Sequence, residues 1–304
     1  MQHVIQLSGI TKTYGGSRGV TDISLQVPEG SIYGFLGPNG AGKTTTISML
    51  VNLTHPTSGT IQVFGEDNET NGLENRKRIG FLAGDMALDK ALTGWQQLEY
   101  FGHLRGGFDA AYVRELAARL HAELHKKIKS LSRGNRQKIG LIAALMHKPD
   151  LLILDEPTSG LDPLIQAEFN KIILEHKEQG KTTFISSHVL SEVQELCDQV
   201  AIIREGRIIT HKSMQEIIET APRIVTVSSS HPHDLDDIAK GLHGVSNLKH
   251  KDRAISFNFS GDMNELIRRL SKKPITNLTI EDTDLEQIFI SYYQDDKDKE
   301  QQHA

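Results

Sequence analysis

A chain of 304 residues with a single cysteine, Cys197, cannot close a disulfide within itself. The same scarcity excludes a cysteine-based metal site and fits a reducing compartment. Long apolar runs are also missing. The longest, Leu141-Ile-Ala-Ala-Leu-Met146, falls far short of the about 20 residues that span a bilayer. Met1-Gln-His-Val-Ile-Gln leads into no apolar stretch, so no signal peptide is expected, and any work at a membrane would pass through a partner. There is no excess of positive charge. A formal net charge of −5 argues against a broad nucleic-acid-binding face. Internal repeats and low-complexity segments are absent. What remains is 38% hydrophobic and 24% charged, the balance of a globular chain able to build one large or two smaller cores.

The periodicity predicts strands at 4–7 and 23–27, paired as a hairpin around the turn-rich segment 14–19. Further strands are expected at 31–36, 61–64 and 78–82. From about Gly94 to Ala144 apolar residues recur at three- and four-residue steps, as in residues 95–101 and 112–120, which predicts a helical insert. Leu151-Leu-Ile-Leu154 reads as a buried strand, 165–179 as a helix closed by Gly180, 182–186 as a strand, 191–197 as a helix and 200–203 as a strand. Strands alternating with helices imply a mostly parallel sheet covered on both faces. Composition changes near Thr220-Ala-Pro222. Strand-like runs at 223–227, 254–259 and 276–280, with a helix at 263–270, suggest a small α+β module. The tail Asp295-Asp-Lys-Asp-Lys-Glu300 is too charged to fold and is expected to be disordered.

Three motifs carry chemistry. Gly37-Pro-Asn-Gly-Ala-Gly-Lys43-Thr44 fits GxxxxGK(S/T) between a strand and a helix. Its glycines let successive N–H groups turn inward onto a phosphate chain, and the helix N-terminus adds its dipole. Lys43 would reach the β- and γ-phosphates, and the Thr44 hydroxyl would bind Mg²⁺. Leu151-Leu-Ile-Leu-Asp155-Glu156-Pro157 follows, a buried strand with two carboxylates at its C-terminal end, where ligands sit in open α/β sheets. Asp155 suits the Mg²⁺ shell, and Glu156 suits polarisation of an attacking water. The third, Leu131-Ser132-Arg-Gly134-Asn-Arg-Gln137, opens a helix whose N-terminus would form a second anion site.

Here the chain resembles the ATP-binding-cassette family, whose signature is LSGGQ; Arg133 and Asn135 depart from the commonest form. A match to LSxGxxQ arises by chance in roughly 1 of 200 chains, but not between the other two motifs in this order. The resemblance implies an α/β fold, namely a P-loop NTPase core of mostly parallel sheet with an antiparallel β subdomain and a helical insert. It spans residues 1–220, with the helical subdomain at about 86–148; the α+β module covers 221–293 and the charged tail 294–304. It implies that Gly37, Pro38, Asn39, Gly40, Ala41, Gly42, Lys43, Thr44 and Thr45 hold ATP, with Mg²⁺ on Thr44 and Asp155. It also implies a head-to-tail dimer, a homodimer by default, in which Ser132 and Gly134 complete the opposite subunit's ATP site. By the same resemblance Tyr14 stacks on adenine, Glu156 and His188 are catalytic, Asp162 closes a loop that touches the opposite subunit, and Arg204-Glu-Gly-Arg-Ile-Ile209 closes the cassette as a hairpin.

The family's glutamine after strand 78–82 is missing. Gly84 takes its place with Asp85 beside it, and either Asp85 serves there as a metal-side group or the loop works only mechanically. The closing run Asp284-Leu-Glu-Gln-Ile-Phe-Ile-Ser-Tyr-Tyr293 looks like the end of ATPase subunits of bacterial two-component exporters. That implies separate transmembrane permease subunits and a place on the cytoplasmic face of the cell membrane. The rival reading is a cassette ATPase acting on ribosomes or DNA. A single cassette, no sustained heptad run between Lys43 and Asp155, and the negative charge argue against it. An ATP-binding regulatory subunit without turnover is disfavoured by Glu156 and His188. His121 and His125, one helical turn apart, are expected on a solvated helix face rather than on zinc, for want of a third ligand, and His231-Pro-His233 as a surface turn.

Overall fold

Alternating apolar residues make the N-terminal stretch a ribbon with one oily side. In the computed structural model, which describes residues 2–15, 19–230, 241–251 and 253–282, β1 (His3–Lys12) pairs antiparallel with β2 (Val20–Pro28), Leu7 opposite Leu25 and Ile10 opposite Ile23. Across its other edge β1 meets β4 (Ser58–Val63), Leu7 opposite Ile61, and β4 meets the short β5 (Glu66–Asp67). The inward side chains of this sheet are fully buried.

A second sheet of six strands runs β10-β9-β3-β8-β7-β6. Its members are β3 (Ile32–Leu36), β6 (Ile79–Leu82), β7 (Leu151–Asp155), β8 (Thr182–Ser187), β9 (Gln199–Arg204) and β10 (Arg207–Ser213). The first five are mutually parallel, and β10 returns antiparallel to β9 as the expected hairpin. Every residue of β3, β7 and β8 is buried, as strands covered on both faces require. Helix α1 (Lys43–Leu50) packs between the sheets, and Leu7, Ile47, Leu50, Phe35, Ile153 and Phe184 share one core. The chain then adds α2 (Gly72–Arg78), unmarked by any apolar period in its sequence Gly-Leu-Glu-Asn-Arg-Lys-Arg.

The helical insert holds α3 (Gly94–Leu104), α4 (Ala110–Arg119) and α5 (Arg133–Leu145). Each begins on a side-chain cap: a Thr93–Gln96 capping box, Asp109 and Ser132. Such caps contribute about 1 kcal/mol apiece. The insert is tied to α6 (Pro163–Glu178) by Arg119, whose Nε donates to Glu168 and whose Nη1 donates to Glu175, each at 2.6 Å. Seven residues apart, those carboxylates share one side of α6. The expected helical pairing of His121 with His125 is not found. Helix α4 ends at Arg119, His121 takes a left-handed φ of 50°, and the following loop carries His125. Among the described residues no cluster of metal-binding side chains occurs, and no helix is long and apolar enough to cross a membrane. Helix α7 (Leu190–Leu196) links β8 to β9.

Two compact units divide the chain between Met214 and Gln215, within α8 (Met214–Thr220). In the second unit β11 (Arg223–Ser229), β12 (Val245–Lys251), β13 (Ala254–Phe259) and β14 (Ile275–Asp282) form a sheet ordered β12-β13-β11-β14, with every neighbouring pair antiparallel. Helix α9 (Met263–Leu270) sets Leu266 and Leu270 on Val225, Val227, Ile255, Phe257 and Phe259. Strand β12 escapes sequence reading because Val-Ser-Asn-Leu-Lys-His-Lys shows no alternation. His231, His233, the run 284–293 and the tail 294–304 lie outside the described residues.

Candidate active site

The ends of three parallel strands bring the chemistry together. After β3 the chain turns sharply at Gly37, where an added Cβ would lie 2.4 Å from the Ile203 carbonyl. Gly40 and Gly42 take left-handed φ values of 81° and 108°, which only glycine adopts without strain. The loop closes as the Ala41 N–H donates to Pro38 O, and α1 starts at Lys43. The Lys43 ammonium is folded back into this cradle, donating to Gly37 O at 2.6 Å and to Pro38 O at 3.2 Å. These donors are what a phosphate chain would claim.

Strand β7 delivers Asp155, only 3% exposed. Its two oxygens accept from Thr44 Oγ1 at 2.8 Å and Ser186 Oγ at 2.5 Å, so α1, β7 and β8 meet on one carboxylate. A hydroxyl and a carboxylate side by side are hard oxygen ligands of the kind Mg²⁺ takes. Glu156 follows in a left-handed conformation, φ 51°. Its N–H donates to Ser186 O and Ser186 Oγ, both at 3.2 Å. That unusual backbone turns the carboxylate back over the cleft. Oε2 lies 2.5 Å from His188 Nδ1, at the end of β8. Oε1 lies 3.2 Å from the Lys43 ammonium but accepts no aligned hydrogen bond, although it is buried. A buried carboxylate oxygen with an unused lone pair suits a water or a substrate group.

These residues line one open cleft of about 700 Å³. Tyr14, Asn39, Gly40, Gly42, Lys43, Thr44, Thr45, Asp85, Asp155, Glu156 and His188 border it. Gly37, Pro38 and Ala41 shape the loop behind it. Ser132, Gly134 and Asp162 do not border it. Ser132 caps α5 by accepting from Asn135 N, and Asp162 caps α6 by accepting from Ile165 N. Sequence reading missed several contributors. Ser186 is one, hidden in a β8 run that reads simply as buried strand. Gln137 is another: it donates to Glu156 O and Pro157 O, fastening helix α5 to the turn after β7. Arg133 and Ser159 also reach the cleft. The departure at Asn135 has a structural cause, since its buried amide brackets the Glu123 backbone, accepting from the N–H and donating to the carbonyl.

Comparison with known proteins agrees with this geometry. The family profile described as ABC transporter matches residues 20–159. The chain is 34% identical over 296 residues to the bacitracin transport ATP-binding protein BcrA of Enterococcus faecalis, covering 95% of this chain and 96% of that one. It is 38% identical over 219 residues to the daunorubicin/doxorubicin resistance ATP-binding protein DrrA of Streptomyces peucetius, covering 70% and 66%. A solved structure described as the ATP binding subunit of an ABC transporter superposes with a TM-score of 0.64 at 26% identity, over 70% of this chain and 91% of that one. The full-length relationship to a cassette subunit, on top of a cleft that joins the phosphate loop to Asp155, Glu156 and His188, shows that this chain belongs to the ABC transporter family as an ATP-binding, ATP-hydrolysing subunit.

Proposed function

We propose that this subunit powers export through separate permease subunits, working at the cytoplasmic face of the membrane as one half of a head-to-tail pair of cassettes, a homodimer in the simplest case. The observation that carries the catalytic part is the triangle Lys43–Glu156–His188, 3.2 Å and 2.5 Å on its two measured sides, beside the Thr44–Asp155–Ser186 chain. The loop 37–45 wraps the phosphates of ATP, and Lys43 exchanges its carbonyl partners for β- and γ-phosphate oxygens. Once Lys43 has moved, Glu156 is free to accept a proton from the attacking water, and His188 holds the carboxylate in line. Mg²⁺, held by Thr44 and Asp155, would neutralise charge developing on the phosphates. Tyr14 offers an exposed ring to the adenine, with the Lys12 ammonium 5.5 Å from the ring centre. Asp85 lines the rim beside Gly84, where the family keeps a glutamine, and supplies the side chain that Gly84 lacks. A Cβ at Gly84 would lie 3.3 Å from Asp155 Oδ2, so a larger residue there presses on the carboxylate.

Ser132, Gly134 and Asp162 do not border their own cleft, and this supports the reading that they serve the opposite subunit. Two capped helix N-termini then meet the γ-phosphate side of the partner's nucleotide. The direction of transport rests on the relatives, one named for bacitracin transport and one for drug resistance. Glu156→Gln tests the core of the proposal. Phosphate release should fall at least about 100-fold, the size of a lost general base, while ATP binding persists and a dimer accumulates at saturating ATP in sedimentation. Undiminished phosphate release would remove Glu156 from catalysis.

A further inference from the structure

Arg133 is a large departure from LSGGQ, a guanidinium where the common form has a hydrogen. Its Nη2 donates to Ser159 Oγ at 3.0 Å. Ser159 sits in the tight turn after Glu156, where Ser159 N donates to Glu156 O and Leu161 N donates to Thr158 O. The adjacent residues make a second contact. Gly134 passes so close to Gly160 that a Cβ on Gly134 would lie 2.4 Å from the Gly160 carbonyl, and Gly160 itself has a left-handed φ of 80°. Gln137, one turn along α5, holds the start of the same segment through Glu156 O and Pro157 O. The signature turn and the loop leading to Asp162 are therefore joined at three places. Gln137 holds one end and backbone packing the middle. Arg133 supplies a direct side-chain bond to Ser159, beside Gly160.

We infer that Arg133 is a positioning residue that latches the 159–162 loop to the signature turn of its own subunit, so that both reach the opposite cassette as one rigid piece. A glycine at this position offers no such bond, and the loop could then pivot about Gly160. Two loops held together lose less freedom on docking than two loops ordered separately, which lowers the cost of closing the dimer. This inference rests on the head-to-tail reading proposed above.

The test uses the full chain carrying Glu156→Gln, with ATP-driven dimer formation followed by sedimentation across an ATP titration. Arg133→Gln and Arg133→Gly should each raise the ATP concentration for half-maximal dimer about fivefold, equivalent to about 1 kcal/mol. Ser159→Ala should do the same, and Arg133→Gln with Ser159→Ala should be no worse than either alone, because both remove one bond. Because Arg133 and Ser159 also border the cleft of their own subunit, monomer affinity for ATP is measured in each variant and should fall by much less than the dimer midpoint shifts. Additive effects, or no shift in either single variant, overturn the latch alone. A loss of monomer affinity in Arg133→Gln as large as the midpoint shift would assign the guanidinium to the nucleotide and also overturn it. If Glu156→Gln itself forms no dimer with ATP, the head-to-tail reading fails and the latch fails with it.

Discussion

Lys43 and Asp155 are 6% and 3% exposed and are held by hydrogen bonds from within the fold, whereas Ser132, Arg133 and Asp162 stand in solvent at helix N-termini. The first group hangs on β3, β7 and β8, whose every residue is buried. Its geometry is set by sheet register, which cannot slip without moving the core. The second group hangs on caps, on one close backbone pass and on the Arg133 and Gln137 hydrogen bonds, which hold its shape but leave it exposed. A buried polar site is pre-organised and demands full pairing. An exposed one is built to find its partners elsewhere. The two halves should therefore fail differently when changed.

The largest separation is expected at Lys43. Lys43→Ala removes the cradle's ammonium and the cation 3.2 Å from Glu156, so ATP affinity of the isolated subunit should fall more than about tenfold, as for loss of a charge-assisted contact. Fluorescent-nucleotide titration measures it, and wild-type affinity would overturn the loop assignment. Gly134→Ala strikes the other half. The added methyl meets the Gly160 carbonyl at 2.4 Å, so the signature turn must shift at a strain of about 1–3 kcal/mol. ATP binding by the monomer should stay within about twofold while phosphate release drops about tenfold or more, the equivalent of 1.4 kcal/mol. Equal losses of both would erase the distinction between the halves.

The smallest effect is global and should not discriminate between them. Burial pushes the pKa of His147 and of His176 down to about 4, helped by Arg105 at His147 and by Lys181 at both. The folded state thus favours neutral imidazole and binds fewer protons than the unfolded chain. The resulting stability is complete above pH about 6.5 and is lost as pH falls toward 4. Melting temperature should drop a few degrees between pH 7.5 and pH 5, and His176→Gln should flatten that slope. A slope unchanged by the substitution would mean that His176 titrates normally.

Much of this was legible beforehand because it is local. Four apolar residues before Asp155 mark a buried strand, and glycines before Lys43 mark a turn that only they allow. Strand β12 and helix α2 were not legible, since neither carries the periodicity of its type; neighbours impose their conformation. The supposed helical turn holding His121 and His125 failed because nothing in the residues announces the left-handed step at His121. The departure at Asn135 was legible but its cause was not, because the Glu123 backbone that its amide grips lies 12 residues away. Burial of Cys197, which pushes its thiol pKa well up, was equally invisible in a polar stretch.

By itself the sequence determined which groups stand in the cleft: an ammonium, a hydroxyl, two carboxylates and an imidazole, each announced by neighbours a few residues away. Only the tertiary structure decided how they combine. Thr44, Asp155 and Ser186 come from three elements up to 142 positions apart and share one carboxylate because parallel strands end at the same edge. Arg133 and Ser159 meet because Gly134 and Gly160 let two backbones touch. Local motifs encode chemical groups, but hydrogen bonds between distant groups exist only after burial of the core has fixed the strands' register.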